Sequence, residues 1–197
     1  MPPAMIAAIT VSSTGRRCDR QAPRGLRPPM RARNPVATAC GSKTTTLAEA
    51  LSAADRAHSA GQSAEAVKLY AQILAWQGAG TLSEAERFKS SLEAVKCLLQ
   101  LDRTNDAVVR YEAMFTTFAE MKGPKAYLNT IAVLDTLDRA KVDEQAFSAA
   151  LLKLANIADT QHPDVRDKFR ERVTNMMNKV SADDDNLAEL RKLPYLG

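Results

Sequence analysis

The spacing of the apolar residues is the feature that most limits the fold of this chain. From Thr44 onward, apolar residues recur every three or four positions, and no segment shows a strong alternation of apolar and polar residues. Alanine and leucine dominate this part, whereas runs of β-branched and aromatic residues are scarce. The sequence therefore predicts an all-α protein with about seven to eight helices.

Residues that start or stop helices divide this pattern into segments. Ser83 and Glu86 have the spacing of a capping box, in which each side chain accepts from a free backbone amide of the other residue. We expect Thr104 or Asn105 to cap the fourth helix and Pro124 to occupy the first turn of the fifth. The short connections predict antiparallel neighbours. The predicted helices span about 46–60, 63–76, 83–101, 104–122, 124–138, 143–158, 163–180 and 183–193.

One stretch of the helical pattern recurs along the chain. The segment GQSAEAVKLYAQIL at 61–74 is similar to DRTNDAVVRYEAMF at 102–115, which begins 41 residues later. A weaker third copy, KVDEQAFSAALLKL at 141–154, begins 39 residues further on and has Ala150 at the tyrosine position. The first two copies align at Ala66 with Ala107, Val67 with Val108, Tyr70 with Tyr111 and Ile73 with Met114. Periods of this length indicate stacked helical units.

The first helical pair resembles the tetratricopeptide repeat, and the matching residues are Ala54, Ala57, Gly61, Ala66 and Tyr70. In that family, small residues let two helices approach closely, and the aromatic residue fills the groove toward the next hairpin. The resemblance implies a right-handed array of antiparallel helical hairpins, a tetratricopeptide-like α-solenoid, over residues 41–160, with capping helices in 161–197. The chain departs from the family in its longer period and in Ala50, which stands at the usual tryptophan position. A helical bundle without repeats is the alternative.

The resemblance also implies a binding surface, because partners in this family lie on the concave face formed by the first helix of each hairpin. The aligned residues here are Leu51, Asp55, His58, Lys89, Lys96, Gln100, Ile131, Asp135 and Arg139. Some family members hold a C-terminal carboxylate with lysine and asparagine, but those positions are Leu51 and Asp55 in this chain. We therefore expect an internal peptide or a folded surface as the partner. The alternative is that these residues form solvated helix faces.

The first 40 residues differ from the rest of the chain in charge. They contain seven arginines and one acid, a net +6, so the remaining residues carry −2 of the overall +4. This segment is rich in Arg, Ser, Thr, Ala and Pro, resembles a chloroplast transit peptide and is expected to be disordered, with cleavage between Ala37 and Cys40. A mitochondrial targeting segment and a retained basic arm are the alternatives. The acidic remainder argues against a nucleic-acid partner.

The candidate chemical sites in the sequence are incomplete. GSKTTT at 41–46 lacks the glycine spacing of a phosphate-binding loop, and ADDDN at 182–186 lacks the glycine of a calcium loop. His58 and His162 have no further ligands at metal-binding spacing, and Cys97 lies in an apolar helix. The sequence therefore predicts no catalytic residues, no cofactor and no metal site.

The function that we expect from these observations is that of a non-catalytic protein–protein interaction scaffold. The leader predicts a chloroplast location, in the stroma or at the thylakoid surface, and by analogy a role in the assembly or stability of a photosynthetic complex. No apolar run approaches the roughly 20 residues that span a bilayer, so we expect membrane association only through a partner. The alternatives are an accessory structural subunit of an organellar complex and an organellar RNA-binding helical repeat.

Overall fold

Every regular element that the computed structural model describes, within residues 46–196, is helical. This confirms the all-α class for that part of the chain, whereas the predicted transit peptide at 1–40 lies outside it. The elements are α1 Leu47–Ser59, α2 Ser63–Leu74, α3 Glu84–Gln100, α4 Thr104–Thr117, α5 Tyr127–Arg139, α6 Glu144–Gln161, α7 Asp167–Met177 and α8 Asp185–Leu190, with short 3-10 helices at Ala119–Lys122 and Pro163–Val165.

Side-chain caps start several helices, as the sequence indicated for α3. The Ser83 hydroxyl accepts from the amide of Glu86, and the Glu86 carboxylate accepts from the amide of Ser83 at 2.9 Å. The same reciprocal pair, Thr46 with Glu49, starts α1, and Asp143 caps α6. Each cap satisfies a backbone donor that has no partner within its own helix.

The predicted side-chain cap of α4 and the predicted start of α5 are wrong. α4 has no side-chain cap, because Thr104 is its first residue and is buried, and Arg103 precedes it. Pro124 lies in the turn before α5 rather than in its first helical turn, and α5 begins only at Tyr127. A hydrogen-bonded backbone turn precedes each of these helices, from the Arg103 amide to the Leu98 carbonyl before α4 and from the Ala126 amide to the Gly123 carbonyl before α5.

The predicted fourth helix is divided by a buried aromatic residue. Phe118 is extended, with φ −117° and ψ 132°, and its ring meets that of Phe88 edge to face at 5.5 Å between centroids. Burial of such a ring stabilises the fold by about 1.5–3 kcal/mol, which exceeds the helix propensity of one residue. The predicted helix at 163–180 is likewise divided, into the short helix Pro163–Val165 and α7.

Gly61 and Asp102, which align in the first two copies, end α1 and α3 in the same way. Both lie at positive φ, 72° for Gly61 and 58° for Asp102. In each turn the next residue donates its amide to a carbonyl five residues back, the pattern of a Schellman motif. These bonds are Gln62 to Ala57 at 2.9 Å and Arg103 to Leu98 at 3.0 Å. The two copies therefore share a backbone turn as well as a side-chain pattern.

Two hydrophobic clusters fill the interior, and α3 contributes to both. The smaller cluster joins α1, α2 and α3, and includes the alanines Ala54, Ala66 and Ala94. Ala54 and Ala66 are fully buried, so small side chains line the contact of α1 with α2. The larger cluster extends from the other residues of α3, such as Val95 and Leu99, to α8 and the C-terminal segment. α3 therefore joins the two clusters.

Three of the four aligned pairs are buried alike in the first two copies, whereas in the fourth pair Val108 is buried and Val67 is partly buried. The residues of the three pairs are Ala66, Tyr70, Ile73, Ala107, Tyr111 and Met114. In the third copy Ala146 is only half-buried and Lys153 is exposed, whereas Phe147 and Leu154, each one position further on, are buried. The predicted alignment of the third copy is therefore off by one residue at these positions.

Helices α1 to α4 pack in sequence, and helices further apart also meet. α3 contacts α5, α4 contacts α6, and α6 also contacts α5, α7 and α8. After α8, the Tyr195 hydroxyl donates to the carbonyl of Ala155 on α6, and Arg170 on α7 donates to the carbonyl of Tyr195. Between residues 46 and 196, no helix is both long and apolar enough to cross a membrane.

Candidate functional site

The nine residues predicted to form the binding surface lie on α1, α3 and α5, three in each helix. Leu51 and Ile131 are partly buried and pack against the hydrophobic clusters, so they mainly belong to the core. The other seven are polar or charged and reach solvent to differing degrees: Asp55, His58, Lys89, Lys96, Gln100, Asp135 and Arg139. The candidate surface is therefore polar, with mixed charges.

Five of these residues line one cleft of about 460 Å³, which we call the α3–α5 cleft. They come from three helices that are not consecutive in the chain, and Ala132 and Thr136 of α5 complete the wall. The five residues are His58 from α1, Lys96 and Gln100 from α3, and Asp135 and Arg139 from α5. The fold therefore brings together residues that are far apart in the sequence.

Asp55 and Lys89 lie in a smaller neighbouring cleft of about 260 Å³ between α1 and α3. The Lys89 ammonium is 2.6 Å from the Asp55 carboxylate, and the Tyr70 hydroxyl donates to the same carboxylate at 2.9 Å. Burial raises the pKa of Asp55, but hydrogen bonds from Lys89 and Tyr70 outweigh it and hold that pKa below its ordinary value of 3.8. Asp55 is therefore ionised at neutral pH and joins α1 to α3.

Glu93 of α3 is a residue of this surface that sequence reasoning missed. One carboxylate oxygen is 3.1 Å from His58 Nδ1, and the other is 2.8 Å from the Lys96 ammonium. Its position, four residues after Lys89 and three before Lys96, places all three side chains on one face of a helix. That spacing was a usable signal, because charged residues three and four positions apart are neighbours on a helix.

Cys97 lies beside His58 but lacks the properties of a nucleophile. Its Sγ is 3.6 Å from His58 Nδ1, the same nitrogen that faces Glu93, so one ring nitrogen meets two competing partners. Burial, followed by the negative charge of Glu93, raises the pKa of the Cys97 thiol to about 11. The thiol is fully buried and stays protonated at neutral pH, which fits a packing role.

A further cleft of about 390 Å³ lies between α5 and α7 and adjoins the first, because Asp135 lines both. Asp135 forms an ion pair with Arg172, and Asp138 forms one with Lys179 at 2.6 Å. Sequence reasoning assigned 161–197 to capping helices and so placed no site residue on α7. The missing information was which face of α7 remains accessible after Phe169, Val173 and Met176 are buried.

His162 is buried in a polar network that the sequence did not indicate. Its Nε2 is 2.9 Å from the Thr130 hydroxyl, which also bonds the Tyr111 hydroxyl at 2.7 Å. The imidazole stacks on Phe169 and lies near Phe115. Burial lowers the pKa of His162, so the ring is neutral at neutral pH. This network joins α4, α5 and the end of α6 inside the core.

The other candidate chemical sites have structural roles where they are described. Thr46, the last residue of GSKTTT, caps α1, whereas 41–45 lies outside the described residues. Asp184 of ADDDN caps α8 by accepting from the amides of Asn186 and Leu187. Within residues 46–196, no group of three or more His, Cys, Asp or Glu side chains is placed to hold a metal ion.

Comparison with known proteins does not assign the chain to a family. No family model matches the chain, and neither a curated protein nor a solved structure matches it. The functional argument therefore depends on the clefts along α1, α3, α5 and α7.

Proposed function

We propose that this protein is a non-catalytic protein–protein interaction scaffold, built as a tetratricopeptide-like array of helical hairpins. In this proposal α1, α3 and α5 are the first helices of three hairpins, and α2, α4 and α6 are the second helices. The accessible sides of the first helices form the surface that holds a partner protein. The proposed mechanism is complementarity of shape and charge along this surface, with no covalent step.

Helix packing supports an array. α3 contributes to both hydrophobic clusters, and α3 contacts α5 while α4 contacts α6. Contacts of this kind are expected where two hairpins stack, and here they join the second proposed hairpin, α3 with α4, to the third, α5 with α6. The matching Schellman turns at Gly61 and Asp102 also favour two equivalent units. The right-handed sense of the array is part of the proposal, as are the unit boundaries at 41–160 and 161–197.

The observation that carries the binding role is the α3–α5 cleft. Five of the nine residues expected on the binding face line it, and they come from all three proposed first helices. Its mixture of cations, an acid and an amide suits the polar groups of a polypeptide better than an apolar small molecule. The adjoining cleft along α7 lengthens this surface.

The accessory-subunit alternative predicts larger exposed apolar areas. In the described part of the chain, the large hydrophobic residues that stand exposed are Val109 and Leu128, on α4 and α5. Single exposed residues of this kind are common on monomeric proteins. The RNA-binding alternative needs a basic channel, whereas the clefts here pair cations with Asp55, Glu93, Asp135 and Asp138. We therefore favour the scaffold.

The proposed location is the chloroplast, in the stroma or at the thylakoid surface, and the proposed partner belongs to a photosynthetic or other organellar complex. This part of the proposal depends on the arginine-rich composition of residues 1–40. Fusing 1–45 to a fluorescent protein tests it in plant or algal cells. Fluorescence in the plastid supports the proposal, and fluorescence in mitochondria or the cytosol contradicts it.

Co-purification of the tagged full chain from plastids tests the scaffold role. The cleft variant carries Lys96→Glu with Arg139→Glu, and the control variant reverses two exposed cations outside the clefts, Lys68→Glu with Arg87→Glu. We expect a reproducible partner that the control retains and the cleft variant loses, while circular dichroism shows both variants folded. A partner retained by both variants, or no partner at all, would contradict the proposal.

A further inference from the structure

Ion pairs connect α1 to α3, and α5 to α7 and the turn after it, across the proposed binding surface. They are Asp55–Lys89 in the first connection, and Asp135–Arg172 and Asp138–Lys179 in the second; His58 Nδ1 of α1 also lies 3.1 Å from the Glu93 carboxylate of α3. No such pair joins α3 to α5 among residues 46–196, although these two helices are in contact. The α3–α5 cleft lies where this connection is missing.

Three side chains of this cleft, Lys96, Gln100 and Arg139, have more hydrogen-bond donors than their neighbours in residues 46–196 accept. The Arg139 Nε donates to the carbonyl of Asp135 on its own helix, and no carboxylate of residues 46–196 forms an ion pair with the Arg139 guanidinium. The Gln100 Oε1 already accepts from the Ser63 hydroxyl, which leaves the NH₂ group of Gln100 as the free end. Lys96 has one carboxylate partner, Glu93, for three N–H donors.

Donors of this kind are matched by a carboxylate, since it only accepts hydrogen bonds and a guanidinium can bind both of its oxygens. Asp135 and Glu93 lie at or beside the cleft, so its local charge is nearly balanced. A balanced site holds a small multivalent anion weakly, because the two acids repel it. A single carboxylate on a longer chain suits the cleft better, since that chain also gains contacts along the adjoining α5–α7 cleft.

We propose that the α3–α5 cleft binds the carboxylate of an aspartate or glutamate side chain in an extended segment of a partner protein. Arg139 supplies the unpaired charge, Lys96 a second cationic contact and Gln100 a neutral donor. The inference depends on the proposed scaffold function and adds the chemistry of the segment that it recognises. It places an internal acidic side chain, rather than a chain terminus, between α3 and α5.

The test uses the full chain and a library of short random peptides that are acetylated at the N-terminus and amidated at the C-terminus, so that every carboxylate is a side chain. Binders are labelled with fluorescein, and their dissociation constants are measured by anisotropy. Each acidic residue of a binder is then replaced in turn by its amide. The proteins compared are the natural chain, Arg139→Gln, Lys96→Gln and the control Arg87→Gln, an exposed arginine of α3 outside the clefts.

We expect one acidic position in each binder whose amide weakens binding by roughly tenfold or more, as for a hydrogen bond to a charged group. The same replacement should have little effect on Arg139→Gln, because the two changes remove one interaction. Arg87→Gln should behave as the natural chain does. The arginine-rich segment 1–40 is present in every protein compared, so its attraction for acidic peptides is the same in each of them.

Three results would overturn the inference: binders with no sensitive acidic position, sensitivity unchanged in both cleft variants, or a complete lack of peptide binding. Displacement of the binders by inorganic phosphate at low concentration, with Arg139 required, would instead assign the cleft to a small anion. If Arg139→Gln is unfolded by circular dichroism, Lys96→Gln gives the same comparison. If a partner needs the clefts for co-purification but none of its acidic residues is coupled to Arg139, this inference is wrong and the proposed scaffold function is still supported.

Discussion

Gly61 offers a direct test of the turn that the first two copies share. Gly61→Ala places a side chain at φ 72°, and an added Cβ meets no atom within 4 Å, so the cost is conformational rather than steric. Left-handed backbone at a non-glycine residue costs about 1–3 kcal/mol, and the lower entropy of unfolded alanine returns roughly 0.4–1 kcal/mol of this. We expect Gly61→Ala to lower the free energy of unfolding by about 1 kcal/mol.

Asp102 lies at the matching turn, and its replacement by glycine should change the free energy of unfolding much less. It already has φ 58°, so Asp102→Gly relieves strain of about 1 kcal/mol. The greater conformational entropy of glycine in the unfolded chain lowers the stability of this variant by roughly 0.5–1 kcal/mol. Loss of the acid before α4, which interacts favourably with the helix dipole, lowers it by about 0.3 kcal/mol more. We therefore expect Asp102→Gly to lie within about 0.5 kcal/mol of the natural chain, well above Gly61→Ala.

Urea unfolding followed by circular dichroism measures both effects, with Gly61→Asn as the matched control because asparagine tolerates the left-handed region. Each kcal/mol corresponds to about 2–4 °C in melting temperature for a domain of this size. The expected order of stability is Asp102→Gly above Gly61→Asn, and Gly61→Asn above Gly61→Ala. The reasoning fails if Gly61→Ala is as stable as the natural chain, or if Asp102→Gly loses about 1 kcal/mol or more.

The remaining predictions concern the core. Burial lowers the pKa of His162 below its ordinary value of 6.5, so the contribution of the neutral ring to stability is complete above pH 6.5 and is lost as the pH falls below that value. The His162→Gln variant should therefore show a flatter dependence of the urea midpoint on pH in this range. An unchanged slope would contradict the buried, neutral state of His162. Tyr111→Phe removes a buried hydrogen bond to Thr130 and should cost about 1 kcal/mol in urea unfolding, so a neutral result would argue against the network. Ala54→Leu should overpack the α1–α2 contact by about 1–3 kcal/mol in melting experiments, whereas Ala48→Leu, on the exposed side of α1, should change stability little.

Sequence reasoning predicted only part of the candidate surface. Alignment of helices predicted His58, Lys96 and Arg139 for one face, and they line one cleft. It also placed Leu51 and Ile131 there, although both pack mainly against the core. The period of a helix tells which residues share a face, but the depth of each residue depends on how closely the neighbouring helix approaches.

The ends of the helices also divide into those that local sequence predicts and those that depend on distant residues. The capping boxes are local, since all of their donors and acceptors lie within four residues, and Ser83 with Glu86 formed as predicted. The break at Phe118 depends on Phe88, which lies 30 positions earlier and therefore leaves no signal near the break. A sequence window that contains only one of the two rings favours an uninterrupted helix.

The sequence by itself determined the helical class, the capping box of Ser83 with Glu86 and the equivalence of Gly61 with Asp102, because these depend on contacts within a few residues. Only the tertiary structure decided which faces stayed open. The α3–α5 cleft, the Asp135 contact shared with α7 and the burial of His162 each require helices that are distant in the chain to meet. Such contacts are set by the packing of side-chain volumes across the whole core, which no local pattern encodes.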